Sequence, residues 1–291
     1  MNRGIALALG AYLIWGILPI YWKTLDHVPS IEILANRIFW SFIFFTIILL
    51  VQNRWKELIN KLKGTNIILY VVVPAILITT NWLTYIWAVN ANYIIETSLG
   101  YLICPLVSVL LGVIFLKEKI RLLQWFAIII AMSAVLIMTF AYGQFPWIGM
   151  ILALSWGSYG LFRKKSPLNA VEGLTLETSL LSIVVVFYFV YLFYNRNTSF
   201  FIDLPTTSLL IGAGLITGFP LIIYIIGARL IKLSLIGVMQ YFYTIITLLI
   251  GVLIYHEPLT QSRIVGFTFI WIAVIIYISD EYFHRKRLKY E

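Results

Sequence analysis

The chain alternates long apolar runs with short polar connections almost from end to end. A helix needs about 20 residues to cross the hydrocarbon core of a membrane, and ten runs approach or exceed that length. They are residues 4–22, 32–51, 66–89, 93–115, 121–141, 146–162, 174–194, 207–228, 233–254 and 261–279. The longest connection is 52–65, so no soluble domain fits between the runs. The pattern predicts an all-α integral membrane protein with ten transmembrane helices.

The composition supports this prediction. Of 291 residues, 62% are hydrophobic and 11% are charged, whereas a soluble domain has roughly 45–50% apolar and about 25% charged residues. The single cysteine, Cys104, excludes an intrachain disulfide. The three histidines lie far apart and offer no metal-ligand spacing. We therefore expect neither a metal nor a cofactor.

The net charge of +9 is arranged as a topology signal. Of the 21 Lys and Arg residues, 17 lie on one side of the predicted bundle and three on the other, while Arg37 lies inside the second run. Positively charged connections stay in the cytoplasm. We therefore predict a multi-pass protein of the cell inner (cytoplasmic) membrane with both termini cytoplasmic. Because the basic residues sit between apolar runs, we expect no nucleic-acid partner.

The two halves of the chain share residues at matching places. Trp15-Gly16 in the first run recurs as Trp156-Gly157 in the sixth. Each half contains five runs, an odd number, so the second half would enter the membrane from the opposite side. Such inverted repeats, with a site between them, are a transporter architecture. We predict a first five-helix repeat at 1–141 and a second at 142–291, which ends in a short basic cytoplasmic tail.

Two predicted helices carry matching stripes of polar or small residues at helical spacing. On the fourth run the stripe is Ser98, Tyr101, Pro105, Ser108 and Gly112. At one constant offset in sequence, the ninth run carries Gly237, Gln240, Thr244, Thr247 and Gly251. We expect the two stripes to face each other across a central cavity.

Large polar and aromatic side chains near the middle of apolar runs are candidates for a solute pathway, because polar groups in hydrocarbon are costly and mark function. The alternative role is to hold helices together, and we favour it for the Ser, Thr and Gly residues of the stripes. The predicted substrate pathway consists of Trp15, Asn81, Trp82, Tyr85, Tyr101, Trp156, Tyr224, Gln240 and Tyr241.

Three charged residues lie inside predicted helices: Arg37, Glu96 and Glu177. We predict that they act as gating or coupling charges, with a structural ion pair as the alternative. Arg37 and Glu177 lie at matching places in the two halves, and Glu96 is a candidate partner for Arg37. Because no acidic residue falls at the middle of a run, we favour a facilitator or an exchanger over proton coupling.

Four segments carry a family resemblance: residues 11–16 (AYLIWG), 36–41 (NRIFWS), 96–106 (ETSLGYLICPL) and 158–164 (SYGLFRK). On these segments, and over nearly the whole chain, the sequence resembles the EamA family of the drug/metabolite transporter superfamily, in its RarD-type branch. The resemblance implies ten helices, cytoplasmic termini and a central cavity between the predicted helices 1, 3, 4, 6, 8 and 9. Two positions depart from the family pattern: Cys104 stands where Asn is usual, and Tyr243-Thr244 where Pro-Thr is usual.

These observations together predict a secondary transporter that exports or exchanges a small organic metabolite or drug by alternating access. The expected partners are that solute and membrane lipid, and the oligomeric state is left open, with a monomer as one option. No catalytic motif such as GxSxG, HExxH or a phosphate-binding loop occurs, so we predict no enzyme. The alternative is a membrane-embedded protein without transport activity, either a lipid-handling enzyme or a receptor or assembly factor.

Overall fold

The computed structural model describes residues 3–64, 66–91, 93–256 and 261–287, and over these residues the chain is helical, with no strand. The helices are α1 (Arg3–Lys23), α2 (Ser30–Val51), α3 (Trp55–Gly64), α4 (Val73–Asn90, preceded by a π-helical stretch at Ile68–Val72), α5 (Ile94–Leu116), α6 (Leu122–Tyr142), α7 (Trp147–Lys165), α8 (Ala170–Tyr194), α9 (Leu204–Leu230), α10 (Leu233–Leu253) and α11 (Gln261–Arg287).

Each apolar run forms a helix, and when the π-helical stretch is counted with α4 the helix ends lie close to the predicted bounds, with one exception. The exception is α11, which continues to Arg287 where the sequence predicted an end at 279. Of the predicted cytoplasmic tail, residues 288–291 lie outside the described residues.

The polar connection at 52–65 contains a helix that the sequence reading missed. This helix, α3, has ten residues and buries Leu58 against Leu49 of α2 and Leu168. Lys61 of α3 contacts Glu57 at 2.7 Å and Glu172 of α8 at 2.8 Å. The hydrogen bond from Lys61 lowers the pKa of Glu57. The helix was missed because it is too short to cross a membrane and apolar on only one side.

Nine of the described helical segments are long and apolar enough to cross a membrane, judged by length and composition. Besides the short α3, the helix that does not qualify is α7, which has Arg163, Lys164 and Lys165 in its last turn and the polar residues Ser155 and Ser158 in its middle. Most of its side chains are at least partly buried, since it packs against α4, α5 and α9. The count of ten spanning helices therefore stays a prediction.

The outer surface of the bundle is strongly apolar. On α8 the exposed side chains include Ile183, Val184, Phe187, Val190 and Phe193. A surface of this kind favours association in water but is compatible with the hydrocarbon of a bilayer. The chain is thus a multi-pass membrane protein.

The centre of the bundle is formed by α5, which packs against α7 and α10, while α1 packs against α9 and α10. Small residues allow such helices to approach closely. A Cβ atom at Gly100 of α5 would lie 2.9 Å from the backbone of Gly149 of α7. This close approach brings the side chains of α5 and α7 into the same central region.

Candidate functional site

Five aromatic side chains, which we call the central aromatic cluster, meet where α1, α7 and α9 converge. They are Tyr12, Trp15, Trp156, Tyr159 and Tyr224. The rings of Trp15 and Trp156 are 5.4 Å apart, and those of Trp156 and Tyr224 are 5.3 Å apart. The two tryptophans of the repeated Trp-Gly dipeptide are therefore in direct contact.

Two buried polar atoms near this cluster have no hydrogen-bond partner among the described residues. One is the donor Nε1 of Trp156, and the other is the acceptor Oε1 of Gln240. The Gln240 side chain does interact with the Cys104 thiol, so only one end of its amide is satisfied. An unsatisfied buried polar group is unfavourable, and these atoms are suited to bind a polar group of a ligand.

A second group, the Arg37 site, comprises Arg37 of α2, Trp22 of α1, Trp82 of α4 and Thr217 of α9. The Arg37 guanidinium lies over both indole rings, with Cζ 4.7 Å from the centroid of Trp22 and 5.0 Å from that of Trp82. Its Nε donates to Thr217 Oγ1 at 3.0 Å. Aromatic faces attract a cation, so the site holds the guanidinium inside the protein and away from lipid.

A row of three half-buried tyrosines lies beside the Arg37 site. Tyr85 of α4, Tyr101 of α5 and Tyr243 of α10 are in ring contact, with centroid distances of 5.8 Å and 5.3 Å along the row. All three hydroxyls are within electrostatic range of the Arg37 guanidinium. Cys104 interacts with Tyr101 and also with Tyr224, so the row and the central aromatic cluster are neighbours.

A third group, the Arg163 pair, lies near the opposite end of the bundle. Arg163 Nη1 of α7 is 3.3 Å from Glu177 Oε1 of α8, an ion pair without hydrogen-bond geometry. Tyr159 donates to Glu177 Oε2 at 3.1 Å, and Arg163 Nη2 donates to Asn169 O at 3.0 Å. Arg163 is 0% exposed and Glu177 is 1% exposed. Protein therefore fills this end of the region between α7, α8 and α9.

Lysine contacts tie the same end of α7 to α9. Lys164 donates to the carbonyl oxygen of Ala228 at 2.7 Å and also to that of Ile231. These carbonyls belong to the last turn and the C-cap of α9, where a cation is favourable.

Two predicted pathway residues use their polar groups between helices. Asn81 of α4 donates to Leu152 O at 3.0 Å and to Ser155 Oγ at 3.1 Å, both on α7. The Tyr241 hydroxyl donates to Leu102 O of α5 at 3.2 Å. Both contacts fit the helix-binding role that the sequence left as an alternative. Their role in a pathway stays a prediction.

The suggested partnership of Glu96 with Arg37 is wrong. The Glu96 carboxylate accepts from Tyr142 Oη at 3.0 Å and from the backbone N–H of Ile148 at 3.1 Å. Ile148 lies in the first turn of α7, where free N–H groups and the helix dipole favour a carboxylate. Glu96 is therefore already satisfied by its contacts to α6 and α7.

The two stripes of small and polar residues do face each other, and at one end they pack directly. A Cβ atom at Gly237 of α10 would lie 2.8 Å from Pro105 O and 2.8 Å from the Ser108 side chain on α5. Beyond these residues, Glu118 accepts from the backbone N–H of Leu233 at 2.6 Å and of Ser234 at 2.9 Å. Toward the opposite end, Tyr101 of the α5 stripe is in ring contact with Tyr243, which lies outside the α10 stripe.

Several site residues were not found from the sequence: Tyr12, Trp22, Tyr159, Arg163, Thr217 and Tyr243. Arg163 was assigned to a basic loop because Lys164 and Lys165 follow it. Tyr243 lies on the same helix as Tyr241 but contacts Tyr101. Helical spacing indicates which residues share a face, but not which of two faces meets the neighbouring helix.

The chain is similar to known proteins named as transporters over nearly its whole length. The model of the EamA-like transporter family matches the chain twice, at residues 2–140 and 146–279. The "Uncharacterized transporter YojE" of Bacillus subtilis is 40% identical, with 96% of this chain and 95% of the relative covered. "Protein RarD" of Escherichia coli is 38% identical, with 98% and 97% covered.

The chain is also similar to more distant proteins, one by sequence and one by structure. The "Chloramphenicol-sensitive protein RarD" of Pseudomonas aeruginosa is 25% identical over 94% of this chain and 93% of its own length. A crystal structure with 16% sequence identity superposes with a TM-score of 0.68, covering 95% of this chain and 97% of that one. At this identity the likeness concerns the fold alone. The family match and the relatives together show that the chain belongs to the EamA-like transporter family.

Proposed function

We propose that the protein is a secondary transporter that exports or exchanges a small organic metabolite or drug across the bacterial cytoplasmic membrane by alternating access. Membership of a transporter family supports movement of a small solute. The observation that carries the proposal is the contact between Trp15 and Trp156, 5.4 Å apart, which joins matching positions of the two halves at the centre of the bundle.

The proposed architecture is two inverted five-helix repeats, 1–141 and 142–291, with ten spanning helices. The double match of the family model, at 2–140 and 146–279, supports a repeat with this division. Helix contacts support it as well, because α1 packs on α9 and α10 in the way that α7 packs on α4 and α5. The bias of Lys and Arg residues supports the proposal that both termini are cytoplasmic.

The proposed state is open toward the Arg37 site and closed at the Arg163 pair. Tyr85, Tyr101 and Arg37 are half-buried, whereas Tyr159 and Arg163 are completely buried. With the Arg163 end cytoplasmic, this difference describes an outward-open conformation. In the inward-open conformation α7 moves away from α8 and α9, which separates Arg163 from Glu177. A solute drives such an exchange only through its different affinity for the two states.

The proposed substrate pathway runs from the tyrosine row to the central aromatic cluster. Ligand sites are mostly apolar with a few placed polar groups, and the aromatic rings suit an amphipathic or aromatic solute. Trp156 Nε1 offers a hydrogen-bond donor and Gln240 Oε1 an acceptor. Arg37, Glu96 and Glu177 remain candidates for gating or coupling, and we favour a facilitator or an exchanger, because Glu96 and Glu177 both have partners.

The test is transport by the purified protein in proteoliposomes, with a panel of labelled amino acids, aromatic acids and amines, and antibiotics. We expect saturable uptake of at least one solute, with and without a pH gradient. The variant Trp15→Ala/Trp156→Ala is expected to lose it, whereas Trp125→Ala, which removes an exposed tryptophan of α6, retains it. Uptake no faster than in protein-free liposomes, or equal uptake by all three proteins, would contradict the proposal.

A further inference from the structure

Arg37 differs from the other charged side chains that are enclosed by the bundle. The buried charged residues each hydrogen-bond or pair with a described group; they are Glu32, Glu96, Arg163, Glu172, Glu177 and Glu281. Arg37 has only the hydroxyl of Thr217 and two indole rings. Among the described residues it forms no ion pair. Its positive charge is therefore not neutralised by the part of the protein that the structure describes.

The unused part of the guanidinium is its end with two terminal nitrogens. Nε is bound to Thr217, and Cζ lies over the indole rings of Trp22 and Trp82, at 4.7 Å and 5.0 Å from their centroids. No described residue accepts a hydrogen bond from Nη1 or Nη2, and the side chain is only half-buried. Two parallel N–H groups at a fixed spacing match the two oxygens of a carboxylate. Three contacts thus hold the arginine in place and leave this end for a ligand.

The surroundings favour an organic anion over a small inorganic one. The tyrosine row contributes three phenol hydroxyls, which can donate to an anion, and apolar ring surface beside them. A solute with a carboxylate at Arg37 would lay its apolar part along these rings, toward the central aromatic cluster. An inorganic anion would use the charge and leave the rings without a partner.

We propose that Arg37 forms an anion subsite that binds the carboxylate of an amphipathic organic acid. This inference rests on the proposed function, since it names the substrate class of the same pathway. Trp22, Trp82 and Thr217 are positioning residues that orient the guanidinium. The solute class includes zwitterions whose carboxylate enters the site and whose apolar side faces the rings.

The first experiment measures binding to the purified full chain in detergent with three probes of similar shape: 3-phenylpropionate, 3-phenylpropionamide and 3-phenylpropylamine. The readout is tryptophan fluorescence, corrected with empty micelles, because Trp22 and Trp82 flank the site. Hydrogen bonds to a charged group correspond to about 10- to 100-fold in affinity. We expect the carboxylate to bind tighter than the amide by that factor, and the amine to bind weakest.

Substitutions at Arg37 test whether this residue causes the preference for the carboxylate over the amide. Arg37→Gln is expected to bind the carboxylate and the amide equally, whereas Arg196→Gln, which removes an exposed arginine from the α8–α9 connection, keeps the full preference. If Arg37→Gln does not fold, Arg37→Lys replaces it, and we expect a weaker preference because the two-nitrogen fork is lost. Equal binding by the wild type, or full preference in either Arg37 variant, would overturn the inference.

Two further experiments distinguish the anion subsite from a site for inorganic anions and from the transporter proposal. Inorganic phosphate is expected not to displace 3-phenylpropionate at equal concentration, and complete displacement would contradict an organic anion as the ligand. Carboxylate binding that depends on Arg37, without uptake of any solute in proteoliposomes, would contradict the transporter proposal and leave the anion subsite standing. Uptake that is equal for acids, amides and amines would support the transporter proposal and contradict the anion subsite.

Discussion

The beginnings of α2 and α8 carry charged residues at two matching positions, and they use the first in the same way and the second differently. In the two halves Glu32 corresponds to Glu172, and Arg37 corresponds to Glu177 at the same offset in sequence. Both Glu32 and Glu172 lie in the first turn of their helix, are buried, and accept a backbone N–H hydrogen bond at 2.7 Å and 2.8 Å. At these two positions the halves are alike.

One turn later the two halves differ in charge and in partner. Glu177 faces Arg163 on the preceding long helix, α7, and Arg37 faces Trp22 on the preceding helix, α1. Trp22 and Arg163 are themselves at matching places, because the offset between them equals the offset between Trp15 and Trp156. Under the proposed repeat, one contact between equivalent helices is an ion pair in one half and a cation–π contact in the other.

Under the proposed alternating-access function, this difference would give the two ends of one architecture separate tasks. At the Arg163 end the charge is neutralised inside the protein, so that this end is stable when closed. At the Arg37 end an aromatic ring holds the charge without cancelling it, so that the cation remains available to a ligand. Three measurements test this distinction.

The largest expected effect concerns access to the two ends. In a Cys104→Ala background, a cysteine at Tyr85 should react with a water-soluble maleimide, and a cysteine at Tyr159 should react only after denaturation. The reason is that thiol modification requires exposure, and Tyr85 is half-buried whereas Tyr159 is 0% exposed. Mass spectrometry after timed labelling measures both. Equal labelling of the two native variants would remove the distinction between an open and a closed end.

The second effect is on stability at the Arg163 pair. Glu177→Leu leaves a buried arginine without its counter-charge, which is expected to lower the free energy of unfolding by about 3–5 kcal/mol. Denaturant titration in detergent measures the change. The double variant Arg163→Met/Glu177→Leu should recover most of the loss. A single variant as stable as the wild type would show that the pair does not stabilise the closed end.

The smallest effect is on stability at the Arg37 site. Arg37→Met removes two cation–π contacts, each of about 0.5–2 kcal/mol, but also removes an uncompensated charge, so the net change should stay below about 2 kcal/mol. The same titration gives the value, with Arg54→Gln, an exposed residue, as the control. A loss as large as that of Glu177→Leu would make Arg37 a structural residue like Arg163.

The sequence predicted the helices well because lipid imposes a strict rule on them: about 20 apolar residues per crossing. It also brought out Trp15 and Trp156, since a repeated dipeptide is visible without a structure. It could not identify the partners of charges. Glu96 binds the first turn of α7 at Ile148, 52 residues further along the chain, and Arg163 enters the bundle although two lysines follow it.

The sequence also could not predict which face of a helix packs against a given neighbouring helix. Tyr241 and Tyr243 are separated on α10 by a single residue, so their side chains point to clearly different sides of the helix. Which of them meets the Tyr101 ring depends on how α10 packs against α5. That rotation is set by close contacts such as Gly237 on Pro105, which only the folded chain reveals.

The limited apolarity of α7 has a consequence for how the chain is made. Each segment that leaves the ribosome partitions between the aqueous channel and lipid according to its side chains, and α7 carries serines in its middle and Arg163 near its end. We expect it to partition into lipid poorly by itself. Its docking partners α4 and α5 are synthesised earlier and provide Gly100 for close packing. We therefore expect insertion of α7 to depend on helices of the first half that are already in the membrane.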